Sequence, residues 1–171
     1  SLIMAVMLTA SAGQTLLVRW PAWIFVGLAL VLAAALHPIM VEASQHIKRG
    51  IPGQPKWIED QIKQLLGGGQ PLWWQLFLIA LLPAICEELA FRGFILSGLL
   101  RRMSAVPAII VSGFLFGFFH MNPQQLLPAT VLGWILGLIA TRSGSLLPGI
   151  LFHFVNNASA LLMSNFQGHV E

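Results

Sequence analysis

Residues 71–100 read PLWWQLFLIALLPAICEELAFRGFILSGLL. The run exceeds the about 20 apolar residues that a helix needs to cross about 30 Å of hydrocarbon. Three charges, Glu87, Glu88 and Arg92, stand inside it. Burying charge at the centre of a bilayer costs several kcal/mol per group, so such residues face a bundle interior or a wet cavity and mark function. Glu88 and Arg92 are four positions apart, which puts them on one helix face as an ion pair. Glu87 then points about 100° away and lacks that local partner. A competing reading ends the helix near Cys86 and leaves the three charges among lipid headgroups.

The rest of the chain supports the membrane reading. Of 171 residues, 57% are hydrophobic and 9% charged, and the mean hydropathy is +0.80. Soluble domains run at roughly 45–50% apolar and roughly 25% charged. The formal charge of +3 comes from nine Lys and Arg against six Asp and Glu. They are scattered, with no basic stripe to hold a phosphate backbone, which excludes nucleic-acid binding as the main task. A single cysteine, Cys86, excludes an internal disulfide framework. The chain opens Ser1-Leu2-Ile3-Met4 inside an apolar run, which reads as a piece of a longer protein or a trimmed front end.

Charges divide the chain. Residues 1–18, 20–41, 64–86, 103–141 and 143–170 hold no Asp, Glu, Lys or Arg. The stretch 103–141 is long enough for two spans, with Asn122-Pro123 as the turn. The expected fold is all-α, a polytopic bundle of about six transmembrane helices near 2–18, 21–41, 71–100, 104–120, 123–141 and 145–164. Ser104, Asn122 and Ser145 stand as N-caps just ahead of Pro107, Pro123 and Pro148. Barrel-type alternation is absent, and an open sheet cannot satisfy its edges in lipid. Three regions are expected: 1–45, an N-terminal transmembrane helix pair; 46–70, a polar connector; and 71–165, a helical core that holds the intramembrane charges. Within 55–66, Trp57, Ile58, Ile62, Leu65 and Leu66 recur at helical spacing between charges, as in an amphipathic helix lying on the membrane surface. Gly113, Gly117, Gly133 and Gly137, four apart in pairs, predict close helix packing. Trp20, Trp23, Trp57, Trp73 and Trp74 fall near span ends and mark the interface. Arg19, Arg101, Arg102 and Arg142 fall on one side and Lys48, Arg49, Lys56 and Lys63 on the other, so the positive-inside rule sets no orientation.

Further polar groups sit inside apolar helices. His120 ends Phe116-Gly117-Phe118-Phe119-His120, and His153 and Asn157 share a face at i, i+4. At about 1.5 Å rise per residue, Glu87 is about 21 Å deep, His120 about 24 Å, His153 about 12 Å and Asn157 about 18 Å from one side. Four groups on three helices therefore fall in one slab of membrane. Together they make a hydrolytic kit. Glu87 is placed to take a proton from water. His120 holds the same water, and His153 and Asn157 donate to the oxyanion of a tetrahedral intermediate. Glu88 with Arg92 fixes the helix. A zinc version would use Glu87, His120 and His153 as ligands with an open fourth position. The His-Glu-x-x-His helix of zinc proteases is absent, and the metal-free version is preferred.

The order Glu87-Glu88-x-x-x-Arg92, Phe116-x-x-x-His120, His153-x-x-x-Asn157 resembles the CPBP family of intramembrane proteases. That family groups CAAX-processing (Rce1-type) endopeptidases with bacteriocin-processing and self-immunity (Abi) proteins. The likeness spans about residues 72–165, and the text Glu87-Glu88-Leu89-Ala90-Phe91-Arg92-Gly93 resembles that of its bacterial members. The resemblance implies an intramembrane endopeptidase in which Glu87 activates water and His120, His153 and Asn157 complete the motif set. Glu88 and Arg92 belong to its first motif, and Phe116 packs beside the second. It also implies a multi-pass protein of a bacterial cytoplasmic membrane, a membrane-associated peptide or protein as substrate, and fusion to, or work beside, another membrane module. Members of the family are labelled metalloproteases, although the use of a metal is disputed. Two rivals stand: a non-proteolytic scaffold or immunity protein of the same fold, and a proton-relay or transporter component.

Other residues read blandly. His37, before Pro38, is expected at a helix end or interface, and His46 and His169 in solvated ends. Cys86 is expected as a buried, inert thiol. Asn157-Ala158-Ser159 is a sequon inside a span, beyond reach of a transferase.

Overall fold

The computed structural model describes residues 17, 19–58, 60–61 and 70–167. The expected span at 2–18 lies outside the described residues except for Leu17. So do Ile62, Leu65, Leu66 and His169. Every regular element among the described residues is helical. Five rods make up the fold: α1 (Trp23–Gly50), α2 (residues 72–100), α3 (Ala105–Phe119), α4 (Pro123–Ser143) and α5 (Leu147–Gln167). Residues 56–58 and 60–61 of the expected surface helix are helical as well.

α1 is longer than expected. It continues nine residues past Val41 to Gly50, into the stretch read as the start of the polar connector. The extension has physical support. Lys48 and Arg49 occupy the last turn, where cations complement the carbonyl end of the helix, and Pro52 blocks further propagation. His37 is therefore not at a helix end. It lies inside α1 and is buried, together with Ala29 and Ala33 on the same stripe.

α2 runs without a break from 72 to 100, so the reading that ended it near Cys86 fails. It is not uniform. Two π-helical segments, Leu76–Leu81 and Leu89–Leu96, alternate with α-helical turns. The first ends where Pro83 follows, a residue that cannot donate to the ladder. The second begins right after Glu88 and contains Arg92. Such bulges re-aim side chains and concentrate at functional sites.

α3 and α4 form a tight antiparallel hairpin. Between them Met121 adopts a left-handed conformation, φ 49°, and reverses the chain. The glycine expectation holds here. A Cβ on Gly133 would lie 2.7 Å from Gly113 Cα, so the two backbones touch with nothing between them. Two of the three expected caps form: Asn122 Oδ1 accepts from Gln124 N at 3.0 Å, and Ser145 Oγ from Leu147 N at 3.2 Å. Ser104 starts α3 in extended geometry, but its side chain caps nothing. α4 ends on Gly144 in the left-handed region, φ 63°.

α2 and α5 are clasped by α1, α3 and α4 around Phe91, Phe116, Leu132, Leu136 and Phe152. Outward-facing Ile24, Leu28, Val31, Phe114 and Phe118 are exposed. Among the described residues, α1 and α4 are long and apolar enough to cross a membrane, and α3 is apolar but shorter.

Candidate active site

Phe116 on α3 is the hub. It is fully buried, and four groups surround its ring. Phe91 on α2 meets it edge-on at 5.0 Å, His120 at 4.8 Å and His153 at 5.8 Å, centroid to centroid. The Arg92 guanidinium carbon lies 4.5 Å from its centroid. That contact offers a desolvated cation a π-face.

On one side of this ring lies a sealed cluster. Arg92 Nη1 donates to Glu88 Oε1 at 2.7 Å, and both side chains have no solvent exposure. The expected i, i+4 pair is formed. Arg92 Nη2 also donates to the Gly133 carbonyl at 3.0 Å, tying α2 to α4. Glu88 has room because α5 passes it with a glycine. A Cβ on Gly149 would stand 2.8 Å from Glu88 Oε2.

His153 on α5 joins this cluster to Glu87. Its Nδ1 lies 3.4 Å from Glu88 Oε1, off line for a hydrogen bond, and its Nε2 lies 3.8 Å from Glu87 Oε2. One imidazole thus bridges the two neighbouring carboxylates. Sequence spacing leaves Glu87 without a local partner, and the imidazole it faces comes from a different helix. Glu87, 34% exposed by its side chain, opens onto a pocket of about 260 Å³ lined also by Phe91, Phe119 and His120. His120 Nδ1 lies 2.9 Å from the Phe116 carbonyl, to which its N–H donates. That bond fixes the ring and leaves Nε2 free.

The structure therefore brings together Glu87, Glu88, Arg92, His120 and His153. Asn157 lies one turn beyond His153 on α5, half-buried, and no hydrogen bond or ion pair among the described residues joins it to the others. Phe91 and Phe119 line the pocket, and their aromatic character in apolar text carried no signal of it. Cys86 is exposed, not buried: adjacent to Glu87, it turns to the outer face of α2.

Four atoms of the cluster, Glu87 Oε2, Glu88 Oε2, Arg92 Nε and His153 Nδ1, are buried without a hydrogen-bond partner. Orphaned polar atoms of this kind call for water or a ligand. A zinc ion would need three donors within about 2.0–2.2 Å of one point. Among the described residues no three His, Cys, Asp or Glu side chains converge in that way. The described residues as placed do not form a metal site. What the arrangement offers is a carboxylate and an imidazole lining one pocket roomy enough for water and part of a substrate, with a second imidazole held behind by the Glu88–Arg92 pair.

Such a set, enclosed in a helical bundle with an apolar exterior, is the equipment of a membrane hydrolase. The comparison with protein families agrees: residues 69–159 match the family model described as Type II CAAX prenyl endopeptidase Rce1-like. The match covers more than half of the chain, so the chain belongs to this family, a family of membrane-embedded proteases. No curated protein and no solved structure matches it. The matched segment contains α2, α3, α4 and the part of α5 that holds His153 and Asn157, and leaves α1 outside.

Proposed function

We infer that the protein is a multi-pass intramembrane endopeptidase of the CAAX type, working with a water activated by Glu87 and without a metal. The observation that carries this reading is the Glu87 carboxylate. Its Oε2 is buried and unpartnered 3.8 Å from His153 Nε2, and the residue lines the pocket that His120 also lines. A general base needs reach to a water and a fixed neighbour to hold that water. Glu87 and His120 meet both conditions.

The step is a hydrolysis. Water held between Glu87 and His120 Nε2 attacks the carbonyl carbon of the scissile peptide while Glu87 takes its proton. The carbonyl oxygen becomes an oxyanion, to which His153 Nε2–H and the Asn157 amide donate. The C–N bond then breaks, and Glu87 returns the proton to the leaving amine. Glu88 and Arg92 touch no reacting atom; they hold His153 in place.

The substrate is a peptide presented at the membrane, and a prenylated C-terminal peptide, the substrate in the family's name, is the first to test. Purified protein is expected to cleave, Glu87→Gln to lose cleavage while keeping its fold, and chelators to leave the rate within about twofold. Cleavage retained by Glu87→Gln would refute the assignment and favour a scaffold. Loss on chelation, with recovery on added Zn²⁺, would replace the metal-free step.

A further inference from the structure

α1 lies outside the family-matched segment, yet it packs chiefly on α5, the helix that delivers His153. Its buried stripe is short and specific: Ala29, Ala33 and then His37, each four apart. The two alanines let the helices approach closely. His37 is the stripe's polar member. Its Nδ1 meets the Asn156 carboxamide oxygen at 3.4 Å, and its Nε2 meets Met163 Sδ at 3.4 Å. Both partners are on α5.

Asn156 immediately precedes Asn157 and follows His153 by three. At about 100° per residue, three residues set Asn156 about 60° round the helix from His153, close enough to move with it and far enough to meet a different neighbour. Asn156 faces α1, while His153 faces the two carboxylates of α2. Rotating α5 about its axis therefore moves both contacts at once. A rotation that brings His153 away from Glu87 and Glu88 also breaks the His37–Asn156 contact. Within an apolar bundle, orphaning a carboxamide and an imidazole is costly, which makes this contact a rotational stop.

We propose that His37 is a positioning residue: through Asn156 it sets the rotation of α5 and so the placement of His153 between Glu87 and Glu88. The role rests on the proposed function only where the readout is turnover; the placement itself is independent of it. His37 and Asn156 form one unit, so removing either has nearly the effect of removing both. Gln at position 37 carries a carboxamide that reaches Asn156 and replaces the contact.

The test uses the full chain in detergent or liposomes, with His37→Ala, Asn156→Ala, the double variant, His37→Gln and a Met163→Leu control. The first readout is the imidazole ¹⁵N spectrum. In His37→Ala and Asn156→Ala the His153 resonances are expected to move, and in His37→Gln to return to the wild-type position. The second readout is cleavage. kcat is expected to fall about tenfold in His37→Ala with KM within about twofold, with the double variant no lower than either single one. His37→Gln is expected to recover most of kcat, and Met163→Leu to stay near wild type, because a thioether is a weak acceptor. Unmoved His153 resonances in both alanine variants would overturn the inference, as would independent, multiplicative losses in the double variant. Should His37→Ala fail to fold, His37→Gln decides. His153 shifted there, with Asn156→Ala unshifted, refutes the coupling. Failure of the catalytic reading shows separately, as a Glu87→Gln variant that still cleaves.

Discussion

Glu87 and Glu88 are neighbours in the chain and opposites in the fold. Glu88 is sealed from solvent against Arg92, whereas Glu87 opens onto the pocket shared with His120. The same carboxyl group becomes a structural anchor in one place and a candidate base in the next, because one residue of helix is about 100° of rotation. The sealed side gives rigidity: Arg92 reaches Glu88, the Gly133 carbonyl and the face of Phe116, and so joins α2, α3 and α4. Each carboxylate keeps one unpartnered oxygen, but only Glu87 lines the pocket and reaches solvent.

The contrast can be broken most strongly at Glu87. Glu87→Gln keeps the shape and removes the base, so kcat is expected to fall by about 10²- to 10⁴-fold while resistance to SDS unfolding stays at the wild-type level. Next in size is the sealed side. Arg92→Met strands a buried Glu88, and the expected loss is about 3–5 kcal/mol of stability in the same unfolding assay. The double variant Glu88→Leu with Arg92→Met is expected to regain most of that stability and none of the activity, since His153 loses the carboxylate that holds it. Were Glu87→Gln the destabilising variant and Arg92→Met the silent one, the roles of the two sides would be reversed. A smaller effect is expected where the hairpin supports both sides. Gly133→Ala pushes a methyl into Gly113 and is expected to cost about 1–3 kcal/mol, read as an earlier unfolding midpoint with KM unchanged. The smallest concerns the pocket wall. Phe119 is mostly exposed, so Phe119→Ala is expected to alter KM for apolar peptides and to shift stability by no more than about 0.5 kcal/mol.

Much of this was legible beforehand, for reasons that differ by residue. The Glu88–Arg92 pair was readable because an i, i+4 contact is local and follows from helix geometry alone. The Gly113–Gly133 approach was readable as a spacing, although which glycine meets which was not. The extent of α1 was misread because Glu42 to Arg49 is polar, and polarity marks the end of hydrocarbon, not the end of a helix. Ser104 was read as a cap from residue type, but a cap also needs the side chain to turn toward the free N–H groups, which sequence does not record. Apolar neighbours predict a buried Cys86, yet a helix hidden on one face still shows the other.

By itself the sequence determined that this is a helical membrane protein with charge where lipid forbids it, because hydropathy and the i, i+4 period are local properties. It also determined the family, through three short motifs whose order survives without any coordinates. Only the tertiary structure decided that His153 spans both glutamates, that Phe116 stands at the centre of the cluster and that His37 grips α5 from outside the matched segment. Those contacts join residues tens of positions apart. They depend on how far each helix is rotated against its neighbours, a quantity set by packing and absent from any single stretch of text.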